Sequence, residues 1–345
     1  MPAPDVPASD GREAPGGRPD AEDLGGGLWS VPVPIPGNPL AYTLVYALES
    51  PRGPVLVDAG WEHEDAWDAL TAGLAAFGMD VADVHGVVVT HHHPDHAGLA
   101  GRVREASGAW IAMHRADAAI VRAFRAMVER DAERAWIADS LRRAGADDGD
   151  LAEHPRRRHI DPPAQPDREL EDGDLVDLPA RRLRAIWTPG HSPGHLCLHL
   201  EDAGRVFTGD HVLPRITPHI GLYPYDRADT DPLGDFLASL ERVGDLPADE
   251  VLPAHQFRFR GLAARARDIA AHHETRLTEL AALLTGEPRT LWRLTAALTW
   301  REPWPAMALQ SRQMAAAEAA AHLRVLERRG RARRATTDPL TYTTA

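Results

Sequence analysis

A chain of 345 residues, 43% of them hydrophobic, is long enough for one large domain and a small one. Its net charge of −13 disfavours loose attraction to nucleic acid or an anionic membrane, and its basic residues are all arginine, which removes lysine nucleophiles and lysine clamps from consideration. The single cysteine, Cys197, rules out an intramolecular disulfide framework, no apolar run reaches the length of a membrane span, and no secretory signal pattern opens the chain, so a cytoplasmic protein is expected.

Residues 1–27 are rich in Pro, Ala, Gly and Asp, with little to bury, and read as a disordered tail; ordered structure is expected from Leu28. The Val-Pro alternation through Pro39 reads as an edge strand or extended arm, because proline cannot donate to a ladder. Strands follow at Leu40 to Leu48 and Pro54 to Asp58, and then Asp58-Ala59-Gly60 makes a turn. Glu64 to Phe77 has helical spacing, with Trp67, Leu70, Leu74 and Phe77 on one face.

Val87-Val88-Val89 reads as a buried strand, and Ala97-Gly98-Leu99-Ala100-Gly101 opens a helical pattern. Between them stands Thr90-His91-His92-His93-Pro94-Asp95-His96. Three of its four imidazoles and a carboxylate, crowded where a strand meets a helix, are economically explained as metal ligands. His91 and His93, two apart on an extended segment, point the same way and can share one ion. Asp95 and His96 turn into the first helical turn and can face a second.

A helix is expected to about Ser107, then a strand from Trp110 to His114, where His114 reads as a polar strand-end residue. Ala116 to Ala144 reads as one long or two short helices, leading through Asp147-Asp148-Gly149-Asp150 into a loop from Pro155 to Arg168. Arg156-Arg157-Arg158 in that loop is either an anion grip or a solvated turn. Glu171-Asp172-Gly173-Asp174 signals a hairpin turn, and strands are expected at Arg182 to Trp187, His195 to Leu200 and Arg205 to Phe207. Cys197 lies in the second of these and reads as a small core residue. Leu213 to Asp229, with Pro214, Pro218, Tyr223, Pro224 and Tyr225, suits a pocket wall, and packing alone explains it as well. Asp231 and Pro232 start a helix that runs to Val243, and Glu250-Val251-Leu252 is a further strand.

Three further motifs follow the histidine cluster. Thr188-Pro189-Gly190-His191-Ser192-Pro193-Gly194-His195 is a double Pro-Gly turn that ends by aiming a histidine. Phe207-Thr208-Gly209-Asp210 places a carboxylate just past a strand, and Leu252-Pro253-Ala254-His255 does the same for a histidine. With these motifs the chain resembles the metallo-β-lactamase-fold hydrolases, and among them the branch of glyoxalase II, over about Trp29 to Leu284. The resemblance implies an α/β fold, the αββα sandwich of that family. It implies two divalent metal ions, zinc above all. His91, His93 and His195 would hold the first, Asp95, His96 and His255 the second, and Asp210 would bridge them. Asp58 would brace the metal loop from behind; a plain turn aspartate is the alternative. The catalytic chemistry implied is attack by a hydroxide bridged between the metals, with Asp95 orienting it and taking its proton. Within the family the bridging carboxylate Asp210 argues against β-lactam hydrolysis, His93 argues against oxygen reduction by the flavodiiron branch, and no long insertion separates Asp210 from His255 as in the large RNA-processing nucleases.

Past Leu284 the pattern changes. A helix from Gly261 to Leu284 is broken by Gly286-Glu287-Pro288, helices are expected at Arg289 to Trp300 and Gln310 to Arg329, and Leu340-Thr341-Tyr342 is β-prone. Residues 28–284 thus form the hydrolase domain and 285–345 a small helical C-terminal domain that resembles the winged-helix tail of some lactamase-fold hydrolases. From Gly286 onward ten Arg face five acidic residues. This segment is expected to serve as a dimer or packing module, making a homodimer possible, with nucleic-acid contact as the alternative. The expected activity is hydrolysis of a small-molecule thioester or ester. The alternatives are a phosphodiesterase or endoribonuclease using the same metals, and a persulfide dioxygenase using one iron.

Overall fold

The computed structural model describes residues 17–129, 133–152, 162–223 and 229–345; Arg156-Arg157-Arg158, Pro224 and Tyr225 lie outside them. The first sheet has seven strands in chain order: β1 (Glu22–Asp23), β2 (Leu28–Pro34), β3 (Tyr42–Leu48), β4 (Val55–Val57), β5 (Gly86–Val88), β6 (Trp110–His114) and β7 (Arg168–Leu170). Neighbours from β1 to β4 are antiparallel, and from β4 to β7 parallel. The parallel half takes its crossovers from α1 (Glu64–Ala75), then α2 (Pro94–Ala97) with α3 (Ala100–Ser107), and then α4 (Arg115–Glu129), α5 (Glu133–Ala144) and α6 (Asp148–Ala152).

The second sheet has the order β11-β10-β9-β8, built from β8 (Leu183–Trp187), β9 (Leu196–Leu200), β10 (Arg205–Gly209) and β11 (Glu250–Pro253), with α7 (Pro232–Gly244) crossing between the parallel pair β10 and β11. Asp231 caps α7 as expected, accepting from the Gly234 amide at 3.1 Å with Pro232 at the first position. The C-terminal part comprises α8 (Leu262–Leu283), β12 (Arg289–Thr290), α9 (Leu291–Ala296), α10 (Leu309–Arg328), β13 (Ala332–Thr337) and β14 (Leu340–Thr344), its three strands ordered β12-β14-β13.

Three apolar clusters define the layers. Tyr46, Leu48, Val57 and Val88 of the first sheet meet Leu183, Leu198, Phe207 and Leu252 of the second. The far face of the first sheet buries Val31, Val45, Leu56, Val87 and Ile111 under Leu70 and Leu74 of α1 and Val103 of α3. The far face of the second sheet buries Ile186, Cys197, Val206 and Val251 under α7, α8, α9 and α10. This is helix, sheet, sheet, helix: an αββα sandwich.

Some details depart from the sequence reading. Order begins before Leu28: Gly25, Gly26 and Gly27 all take positive φ, which reverses the chain so that Glu22–Asp23 pairs with Trp29–Ser30. The helical pattern at Arg289 to Trp300 shortens to α9, because Arg289 and Thr290 pair with Tyr342 and Thr341, and Thr290 caps the helix. The C-terminal elements are continuous in packing with the second sheet: one cluster runs from Val206 and Phe236 through Leu277 and Leu280 to Trp292, Leu323 and Tyr342. No helix among the described residues is long and apolar enough to cross a membrane.

Candidate metal centre

Parallel pairing explains why the candidate residues meet. Val57 pairs with Val88, so Asp58 and Thr90 leave β4 and β5 at the same edge; Gly209 pairs with Pro253, so Asp210 and His255 leave β10 and β11 together. Three bonds lock the two sheets at this edge, from the Leu44 amide to the Ala254 carbonyl (2.7 Å), from the Leu196 amide to the Thr90 carbonyl (2.8 Å), and from the Tyr46 hydroxyl to the Pro253 carbonyl (2.8 Å).

Two groups of donors result. In the first, His91 Nε2, His93 Nδ1 and His191 Nε2 lie 3.0–3.2 Å from one another. In the second, Asp95, His96 and His255 converge, with Asp95 Oδ2 3.4 Å from His255 Nε2 and 3.7 Å from His96 Nε2. Asp210 stands between the groups. Its Oδ1 is 3.2 Å from His255 Nε2 and 3.6 Å from His96 Nε2, while its Oδ2 is 3.5 Å from His191 Nε2.

The far side of each ring fixes which nitrogen carries the proton. His96 Nδ1 donates to Asp58 Oδ2 (2.8 Å), His191 Nδ1 to the His219 carbonyl (2.8 Å), and His255 Nδ1 to the Tyr42 carbonyl (2.9 Å). The Thr90 hydroxyl gives its only proton to Asp58 and so accepts from His91 Nδ1 at 3.1 Å. All four imidazoles therefore turn Nε2 inward, the nitrogen that a neutral ring with its proton on Nδ1 offers as a ligand. Asp58 has the bracing role rather than that of a plain turn residue: it is buried, takes φ +62, and accepts from the Thr90 amide (2.7 Å) and hydroxyl as well as His96.

The electrostatics fit a cation. Burial, reinforced by neighbouring rings, pushes His91 and His93 well below the ordinary imidazole range, and burial also lowers His191. In the second group burial opposes protonation, but Asp95, Asp58 and Asp210 outweigh it and hold His96 well above that range. Burial acts the same way on His255, which Asp210 and Asp95 raise to about 10. His96 Nε2, His255 Nε2 and Asp210 Oδ1 are buried without a hydrogen-bond partner. Buried polar atoms left this way beside carboxylates that favour positive charge are costly unless a cation stands among them, so the residues present fit divalent metal.

His195, the turn's last histidine, does not join the first group, and this corrects the sequence reading. Its Nε2 accepts from the Asp210 amide (3.2 Å) and its Nδ1 faces the Thr188 hydroxyl (2.7 Å), so both nitrogens are occupied within the protein. The earlier histidine of the turn, His191, comes forward instead. Gly190 precedes it at φ +142, where a Cβ would lie 2.4 Å from that of Phe236, so the Pro189-Gly190 step is what aims it. Gly209 is constrained for a related reason: at φ +48 its Cβ would lie 2.7 Å from His195 Nε2 and 2.9 Å from Thr90 Oγ1.

His92 faces away from the metal groups, toward Asp117, a residue that does not stand out in the sequence. Asp117 is fully buried at the start of α4 and accepts from the His92 amide (2.9 Å), His92 Nδ1 (3.0 Å), Ser192 Oγ (2.7 Å) and the Gly194 amide (2.6 Å). One carboxylate thus staples the His91–His93 loop to the His191 turn. His114 accepts from the Ala116 amide at the start of α4 and stacks on Trp187, which places it outside the donor groups. Cys197 is buried and its thiol pushed up to about 12 by that burial, which removes it as a nucleophile.

A family model described as the metallo-beta-lactamase superfamily matches residues 39–255. The crystal structure of a metallo-beta-lactamase family protein from Thermus thermophilus is 33% identical and superposes with a TM-score of 0.76, covering 94% of this chain and 100% of that one. The lactamase-like protein adaB of Aspergillus niger is 26% identical over 265 residues, 75% of this chain and 64% of the relative. An acyl-coenzyme A thioesterase, MBLAC2, of Gallus gallus is 31% identical over 179 residues, 49% of this chain and 55% of the relative. The chain spans less than two thirds of the length of these two curated relatives. The chain belongs to the metallo-β-lactamase superfamily.

Proposed function

We propose that the protein is a dinuclear zinc hydrolase acting on a thioester. His91, His93 and His191 would hold one ion, Asp95, His96 and His255 the other, and Asp210 both. The observation that carries the reading is the disposition of Asp210, one oxygen turned to each donor group. Zinc held by these residues would supply a hydroxide nucleophile at neutral pH and polarise the scissile carbonyl. Asp95 turns Oδ2 to His255 and His96, which leaves Oδ1 to accept a proton from the attacking water. Burial raises this carboxyl, but the positive charge favoured at His96 and His255 lowers it further, and a cation bound among them would favour the ionised form in the same way. Asp58, through Thr90 and His96, keeps ligands of both groups oriented while the substrate exchanges.

The thioester assignment leans on the resemblance to the acyl-coenzyme A thioesterases of Gallus gallus and, at 30% identity over 172 residues, Bos taurus. A winged-helix reading of the C-terminal part is supported by its strand order, β12-β14-β13, around α9 and α10. Five of the ten arginines from Gly286 onward, however, are paired within the chain. Arg312 pairs with Asp150, Arg324 and Arg334 with Glu327, Arg328 with Asp231, and Arg329 with Glu274, which favours packing over a nucleic-acid footprint. A cytoplasmic setting belongs to the same reading.

Elemental analysis of the purified, unsupplemented protein tests the metals, and two zinc ions per chain are expected. One iron per chain would replace this reading with the dioxygenase. Acyl-thioesters should then be cleaved in preference to bis-p-nitrophenyl phosphate; inert thioesters beside a cleaved phosphodiester would overturn the substrate assignment.

A further inference from the structure

We propose that Glu318 of α10 is a positioning residue for the first metal-binding group, acting through the segment 211–223. The proposal rests on the two-metal reading above. His191 presents Nε2 only because its Nδ1 proton has an acceptor, the carbonyl of His219. A carbonyl performs that task only while its segment stays in place, and the C-terminal helices are what hold it. Arg265 of α8 donates to the carbonyls of Leu213 (2.7 Å) and Ile216 (2.8 Å), the Leu222 amide donates to the Ala317 carbonyl of α10 (2.9 Å), and Ile220 is buried in the cluster those helices form.

The His219 ring completes the connection. Its Nδ1 lies 3.8 Å from Glu318 Oε2, within ion-pair reach, and its Nε2 3.0 Å from the Tyr223 hydroxyl, so the ring is held between the carboxylate and the tyrosine. Glu318 sits in a run of buried alanines, Ala315, Ala316, Ala317, Ala319, Ala320 and Ala321. The Glu318 side chain is 22% exposed; a carboxylate so largely covered is costly unless it has partners, and packing alone would be served by one more alanine. Its helix is fixed in turn one turn on: His322 Nδ1 donates to the Glu318 carbonyl (2.8 Å), and its Nε2 meets His273 Nδ1 of α8 at 3.2 Å. The path from the C-terminal helices to a candidate ligand is thus Glu318, the His219 ring, the His219 carbonyl and His191. Residues that orient ligands from behind typically matter by about 10- to 100-fold in metal affinity or activity.

The test is zinc titration of the full chain against a chromophoric chelator, with the visible absorption of the cobalt(II) form as a second readout. Glu318→Ala should weaken binding of one of the two ions by about 10-fold or more and alter the cobalt absorption, and Glu318→Gln, which keeps an acceptor for His219, should recover most of both. Unchanged affinity and absorption in Glu318→Ala would overturn the proposal, as would a glutamine variant no better than alanine. Should Glu318→Ala fail to fold, His219→Ala decides: the same loss supports the path, and wild-type affinity overturns it. Two ions bound equally well by wild type and variants would leave the two-metal reading standing and remove this one, whereas a wild-type chain that takes up no metal removes both.

Discussion

At the residue scale the two histidines of one turn are separated by what stands behind each ring. His191 has a carbonyl behind Nδ1 and three-way contact in front, while His195 is occupied on both sides by Thr188 and the Asp210 amide. His191→Ala should therefore leave one ion per chain in elemental analysis and lower kcat/KM by more than about 100-fold, beyond what loss of an outer-sphere partner costs. His195→Ala should retain both ions, with activity reduced because Asp210 loses the acceptor that fixes its amide. A chain that keeps two ions without His191 and loses one without His195 would reverse the assignment. The Pro-Gly steps made the turn legible in the sequence, but each precedes a histidine, and nothing local says which ring reaches the metal. That is decided by His219, 28 residues away, whose carbonyl no motif announces. The other candidate residues, His91, His93, Asp95, His96, Asp210 and His255, were legible as candidates because each stands within a few residues of a strand's end or in the helix after it, in motifs that carry the family resemblance.

At the element scale the centre depends on two loops from different sheets keeping register, and Asp117 is the device that couples them. It has no exposed surface, and four donors converge on it. Asp117→Ala strands those donors in a dry site, at about 1–3 kcal/mol for each left unsatisfied. The variant should lose about 3 kcal/mol or more of unfolding free energy in denaturant titration and bind metal more weakly, since the His91–His93 loop and the His191 turn would move apart. A midpoint within error of wild type would show that the loops hold register without it. The elements themselves were legible wherever local signals suffice: Asp231 and Pro232 announced α7, and the β-branched run announced β5. Pairings made at long range were not. The strand β7 exists because Arg168–Leu170 meets Ala112–His114, and β12 because Arg289 and Thr290 meet β14, neither with a strand-length apolar pattern of its own.

At the scale of the whole molecule, the sequence suggested a boundary near Leu284, where the motif-bearing region ends and composition changes. Packing runs across that position. Phe236 and Leu240 of α7 and Ile269, Leu277 and Leu280 of α8 belong to the same cluster as Trp292, Leu294, Leu309, Leu323 and Leu326. Asp150 of α6 is tied to the C-terminal part as well, accepting from Trp292 Nε1 at 3.0 Å and pairing with Arg312. Each large apolar side chain so covered contributes about 1.5–3 kcal/mol, and a handful of them equals the whole stability of an ordinary domain, about 5–15 kcal/mol. The full chain should accordingly unfold in a single calorimetric transition, with calorimetric and van't Hoff enthalpies equal. A chain ending at Leu284 would bare the α7 and α8 faces and lose the anchors of segment 211–223, so it should show no cooperative transition and bind little metal. Two resolved transitions in the full chain, or a truncated chain that melts cooperatively and keeps its metal, would mean that the C-terminal part is an appendage. The shared core predicts the opposite: the helices that follow the last candidate ligand, His255, are required to hold the ligands before it.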